Sequence, residues 1–103
     1  MDAESFWKVI QQAKRASHGE IAQQVEFLTQ KLEQLSVDDI IAFERLFIQF
    51  MDESYHADLW GAAYLINGGC SDDGFDYFRG WLIAQGEKAF AAAIQNPQTL
   101  ENC

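Results

Sequence analysis

Apolar residues recur along this chain at the three- and four-residue steps of amphipathic helices, in separate blocks divided by polar breaks. In the first block Phe6, Ile10 and Ala13 share a face, with Trp7 beside it. Asp2 is placed to cap its start and Glu4 falls in its first turn, while Lys14 and Arg15 suit the negative end of the helix dipole. Ser17-His18-Gly19 stops it. The second block, about Glu20 to Leu35, steps by four and three through Ile21, Val25, Leu28, Leu32 and Leu35, opposite a face of Gln, Glu and Lys. Ser36 caps the third, with Asp38 and Asp39 in its first turn. Ile40, Phe43, Phe47, Phe50 and Met51 make its expected buried face, which fades at Asp52-Glu53-Ser54.

A fourth helix is expected over Asp58–Ile66 with Asp58 as its cap. Leu59, Ala62, Ala63 and Ile66 share one side of it, and Trp60 and Tyr64 share the other. Asn67-Gly68-Gly69-Cys70 reads as a turn, since a Gly after a helix is the expected left-handed terminator. Ser71 caps a fifth helix with Asp72 and Asp73 in its first turn and a core stripe of Phe75, Phe78 and Leu82. Gly86 ends or bends it, and Glu87–Gln95 forms a short last helix carrying Ala89, Phe90, Ala93 and Ile94. Asn96-Pro97 terminates that helix, and residues 98–103 read as a flexible tail. No period-two strand pattern, repeat or low-complexity segment is visible. The fold class is therefore all-α: one domain over residues 1–103, a compact bundle of five to six helices.

Composition adds a core and a charge. Of the 103 residues 49% are apolar, with eight Phe, three Trp and three Tyr, enough to bury a core without disulfides or a structural metal. The net charge of −9 is uneven. Residues 1–35 carry five acids and four bases, whereas residues 36–103 carry eleven acids against Arg45, Arg79 and Lys88. Between Asp52 and Asp76 there are six acids and no Lys or Arg. No basic footprint exists for nucleic acid, and an anionic membrane would repel the chain. Acidity serves solubility in the plain reading, and a basic protein partner or a cation in the sharper one. Cys70 and Cys103 lack the spacing of a disulfide framework or a metal site. The acidic start has no signal-peptide apolar run, and no stretch approaches the ~20 apolar residues of a membrane span. These features lead us to expect a cytoplasmic protein.

The least ordinary stretch is Tyr55–Trp81, which holds seven of the fourteen aromatic residues. The run Asp58-Leu59-Trp60-Gly61-Ala62-Ala63-Tyr64-Leu65-Ile66-Asn67-Gly68-Gly69-Cys70-Ser71-Asp72-Asp73-Gly74-Phe75, continued by Tyr77-Phe78-Arg79-Gly80-Trp81-Leu82-Ile83, resembles the signature of a bacterial family known as domain of unknown function 4240. Phe6-Trp7, and Leu35-Ser36 followed by Ile40 and Phe43, resemble it too, so the likeness spans nearly the whole chain. The resemblance implies little about activity, because none is established for that family. Some proteins similar to it also carry a WGR-type domain and are labelled as regulators of molybdate metabolism. That implies at most a regulatory role.

Candidate chemistry concentrates in the same stretch. Asp58, Asp72, Asp73 and Asp76, near His56 and Cys70, offer oxygen ligands for a hard cation. Capping and first-turn placement already account for acids there, and Asp76 lies three residues from Arg79, close enough to pair. Cys70 precedes a helix N-terminus, where a thiolate is favoured, but small residues after Gly-Gly are more often packed turn residues. No metal or cofactor is expected. Two Asp in the first turn also count against phosphate binding at the Gly-Gly turn. Tyr77 and Trp81 lie off the core stripe of their helix, and exposed aromatics would form an interface patch. The favoured reading is a non-enzymatic interaction or regulatory module. Its candidate binding residues are Asp58, Trp60, Tyr64, Asn67, Asp72, Asp76, Tyr77, Arg79 and Trp81, and its partner a basic protein or a second copy of the chain. The alternative is a small enzyme or ligand-binding domain with Asp58, Asn67, Asp72, Asp76 and Arg79 at its site.

Overall fold

Capping side chains divide the chain into six helices in the computed structural model, which describes residues 1–102. Helix α1 (Ala3–Ala16) opens on Asp2, whose carboxylate accepts the Ser5 N–H at 2.8 Å. That bond holds Asp2 below the ordinary carboxylate range. Helix α2 (Ile21–Glu33) follows a tight turn in which His18 and Gly19 take positive φ. Ser36 caps α3 (Val37–Glu53) by accepting the Asp39 N–H, and Ser71 caps α5 (Asp72–Ala84) by accepting the Gly74 N–H. Helix α4 (Ala57–Asn67) starts one residue earlier than expected. Its cap is His56, whose Nδ1 accepts the Leu59 N–H, so Asp58 lies in the first turn and is not the cap. Gly68, at φ 68°, ends α4 in the left-handed conformation expected of it. Gly86, at φ 105° and buried, ends α5 and begins α6 (Glu87–Gln95), and a Cβ there would sit 3.0 Å from Gln11 Oε1. Among the described residues there is no strand.

The bundle is organised around α5, which packs against each of the other five helices. A central helix needs more than one buried side, and α5 buries Phe75, Arg79, Leu82, Ile83 and Ala84. The main aromatic cluster joins Phe6 and Trp7 of α1 to Phe43 and Phe50 of α3 and Phe90 of α6. Their ring centroids lie 4.7–5.6 Å apart. A second cluster sets Tyr55 and Trp60 against Phe75.

Three expectations about apolar faces change, the first on α3, where Ile40 is exposed at the start of the expected buried face. On α2, Ile21 and Val25 are exposed, Leu28 and Leu32 are only partly buried, as is Leu35 just after the helix, and the one fully buried side chain of α2 is Gln24. On α4, Leu59 and Ala63 face the core, but Ile66 is exposed with Tyr64 and Leu65. Residues Pro97–Asn102 form a 3-10 turn against α4 and α6, with Leu100 packed on the core, while Cys103 lies outside the described residues.

Candidate functional site

The nine candidate residues do not form one site. Arg79 is structural. Its side chain is 5% exposed, donates to the Met51 carbonyl at 2.6 Å and pairs with Asp76. Its guanidinium carbon lies 4.7 Å from the Tyr55 ring centre and 4.8 Å from that of Phe75, a double cation–π contact. One base thus ties α3 and the loop after it to α5. It is not available as an anion clamp. Trp60 is structural as well: it stacks on Phe75 at 4.9 Å, and its indole N–H donates to the Cys70 carbonyl at 2.9 Å. That bond fastens the Gly-Gly-Cys turn to α4.

Asp72 is exposed in the first turn of α5, where the dipole accounts for it. Asn67 is exposed at the end of α4 and Tyr64 stands on that helix's outer side. Asp58 lines a shallow cavity between α4 and the segment Asn96–Gln98, apart from the other candidates. Among the described residues, no group of three His, Cys, Asp or Glu side chains comes together in a way that would hold a metal ion.

The remaining three, Asp76, Tyr77 and Trp81, share a groove that sequence reasoning placed only in part. It runs between α2, α3 and α5 and has a volume of about 490 Å³. Ile21, Val25 and Leu28 form the α2 wall, Phe43, Phe47 and Met51 the α3 wall, and Tyr77, Gly80, Trp81 and Ala84 the α5 wall. Its floor includes Ile10 and Ile83, and Asp76 is its one charged lining residue. Tyr77 is 82% and Trp81 42% exposed. Such a surface is mostly apolar. It can remove apolar side chains from water.

The groove has a local cause. Gln24 of α2 reaches inward, and its amide donates to the Ala84 carbonyl at 2.7 Å, a bond buried between α2 and α5. Gln24 sits one residue before Val25, so this docking turns Ile21 and Val25 away from the core and towards solvent, while Leu28 stays packed at the core's edge. Gly80, without a side chain, leaves the α5 wall low between Tyr77 and Trp81. The sequence did signal one wall, because Tyr77 and Trp81 lie off the core stripe. It carried no comparable sign that α2 would turn its own stripe outward.

The fold and groove define a small all-α domain with an apolar-lined groove between α2, α3 and α5. The chain belongs to the family described as "Protein of unknown function (DUF4240)", whose model matches residues 1–103. No curated protein and no solved structure matches it.

Proposed function

We propose that this domain is a non-enzymatic protein-interaction module, regulatory in character, and that it docks a partner in the groove between α2, α3 and α5. The observation that carries this reading is the groove's lining. Thirteen residues from α1, α2, α3 and α5 surround it and only Asp76 is charged. Contiguous apolar surface left open to water is costly and marks interaction sites more often than chance exposure does. Aromatic side chains at its edge, here Tyr77 and Trp81, are the residue types that dominate binding energy at interfaces. The surface proposed here includes Asp76, Tyr77 and Trp81 of the nine candidate residues and extends onto α2 and α3. Among the described residues no helix is long and apolar enough to cross a membrane. The free thiol of Cys70 suits a reducing compartment such as the cytoplasm.

The test is co-purification from the native host with three forms of the chain. Val25→Glu puts a charge in the groove at an exposed position, and Leu65→Glu puts one on the outer side of α4, also exposed. A partner held by wild type and by Leu65→Glu, but lost by Val25→Glu, supports the reading. Loss on Leu65→Glu alone moves the interface to α4, and retention by both variants removes the groove as a docking surface.

A further inference from the structure

We infer that the groove's occupant is a basic amphipathic helix of a different protein, an inference that rests on the groove being the docking surface. The helical form follows from the walls. All three are helices whose N–H and C=O groups bond within themselves, so an extended segment would find no ladder to pair with. A helix satisfies its own backbone and offers only side chains, as in helix-in-groove recognition. The α2 edge, Ile21, Val25 and Leu28, steps by four and three, the spacing that takes the side chains of a neighbouring helix.

The basic character follows from charge. Helices α2, α3 and α5 together hold ten acids against Lys31, Arg45 and Arg79. Arg79 is buried and Arg45 lies on another face of α3, beside Met1 and Asp38. Asp76 lines the groove and Asp73 lies one turn before Tyr77 on α5. Asp76 shares its charge with Arg79, but a partner helix whose apolar face enters the groove still approaches three helices of net negative charge, so Lys or Arg beside that face are attracted while Asp or Glu are repelled. The same charge disfavours a second copy of this chain, because each copy carries −9.

The probes are two synthetic helical peptides of about 15 residues, the length of the α2 stripe. Both present the same Leu and Ile face, one with Lys beside it and the other with Glu. Calorimetric titration against the full chain at low salt is expected to show the Lys peptide binding about tenfold or more tighter than the Glu peptide. Val25→Glu separates docking from diffuse attraction. It makes the protein more acidic, so unspecific binding of the Lys peptide would strengthen, whereas groove docking should weaken about tenfold or more. Equal binding of both peptides, lost in Val25→Glu, overturns the basic partner and leaves the groove standing. Lys-peptide binding that Val25→Glu leaves intact overturns the inference, as does binding of neither peptide. A wild-type dimer broken by Val25→Glu overturns it in favour of self-association. The groove itself falls only if co-purification is also indifferent to Val25→Glu.

Discussion

A guanidinium gives up its water only where other groups replace it, and Arg79 is buried because three kinds of contact do so at once. The Met51 carbonyl accepts from one amino group, Asp76 accepts from the other, and the rings of Tyr55 and Phe75 face the plane. Its Nε has no partner, which makes the remaining contacts more important. If Asp76 served only a binding surface, the fold would tolerate Asp76→Ala. The structure reverses that expectation, because among the described residues Asp76 is the only carboxylate within ion-pair distance of the buried cation. We expect Asp76→Ala to cost about 1–3 kcal/mol, the lower end reflecting how far Asp76 itself is open to water. Arg79→Met, which keeps the bulk and removes the charge, should cost about 1.5–3 kcal/mol by freeing the Met51 carbonyl. The double variant should cost less than the two single costs together, because it leaves no buried charge unpaired. Urea unfolding of the four proteins checks this, and strict additivity would show that the pair is not coupled. The Asp76–Arg79 spacing was legible in the sequence. The aromatic enclosure was not, because Tyr55 and Phe75 lie on different elements and only the packing of α3 on α5 unites them.

Helix periodicity reports that a helix has an apolar side, not which side faces the core, and α2 shows the difference. Its stripe through Ile21, Val25 and Leu28 has the spacing of a core face, yet the helix is anchored one residue away at Gln24. The Ala84 carbonyl belongs to the last turn of α5, where carbonyls lose their intrahelical partners, and Gln24 supplies the missing donor in a buried setting. Two adjacent positions should therefore respond opposite to their hydrophobicity. Gln24→Leu leaves the carbonyl unpaired and is expected to cost about 1–3 kcal/mol. Val25→Glu, at a position 55% exposed, should stay within about 0.5 kcal/mol of wild type. Thermal melts followed by circular dichroism decide it. A larger loss for Val25→Glu would mean that this edge is packed after all. Elsewhere the element scale was readable: Asp2, Ser36 and Ser71 cap the helices assigned to them, and Gly68 and Gly86 break the chain where expected. The cap of α4, expected at Asp58, was misplaced by two residues because His56, a less common cap, takes the role.

For the whole molecule, two surface properties oppose each other. The groove favours association through its apolar lining, and the net charge of −9 opposes it between identical copies. At low ionic strength the repulsion acts over the distance between two docked chains, and the domain should sediment as a monomer of 11.7 kDa. Sulfate at about 1 M shortens the screening length to ~3 Å or less and strengthens apolar burial, so both changes favour pairing. We therefore expect a reversible shift towards twice the monomer mass as sulfate is raised, with the midpoint depending on protein concentration. Val25→Glu should suppress the shift, because its carboxylate would have to enter the shared apolar surface. Leu65→Glu, on the outer side of α4, should leave it unchanged. Sedimentation equilibrium over a sulfate series reads all three proteins. A wild-type dimer already present at low salt would show that apolar burial outweighs the repulsion. The groove would then be a subunit interface, with no vacancy for a basic helix from another protein.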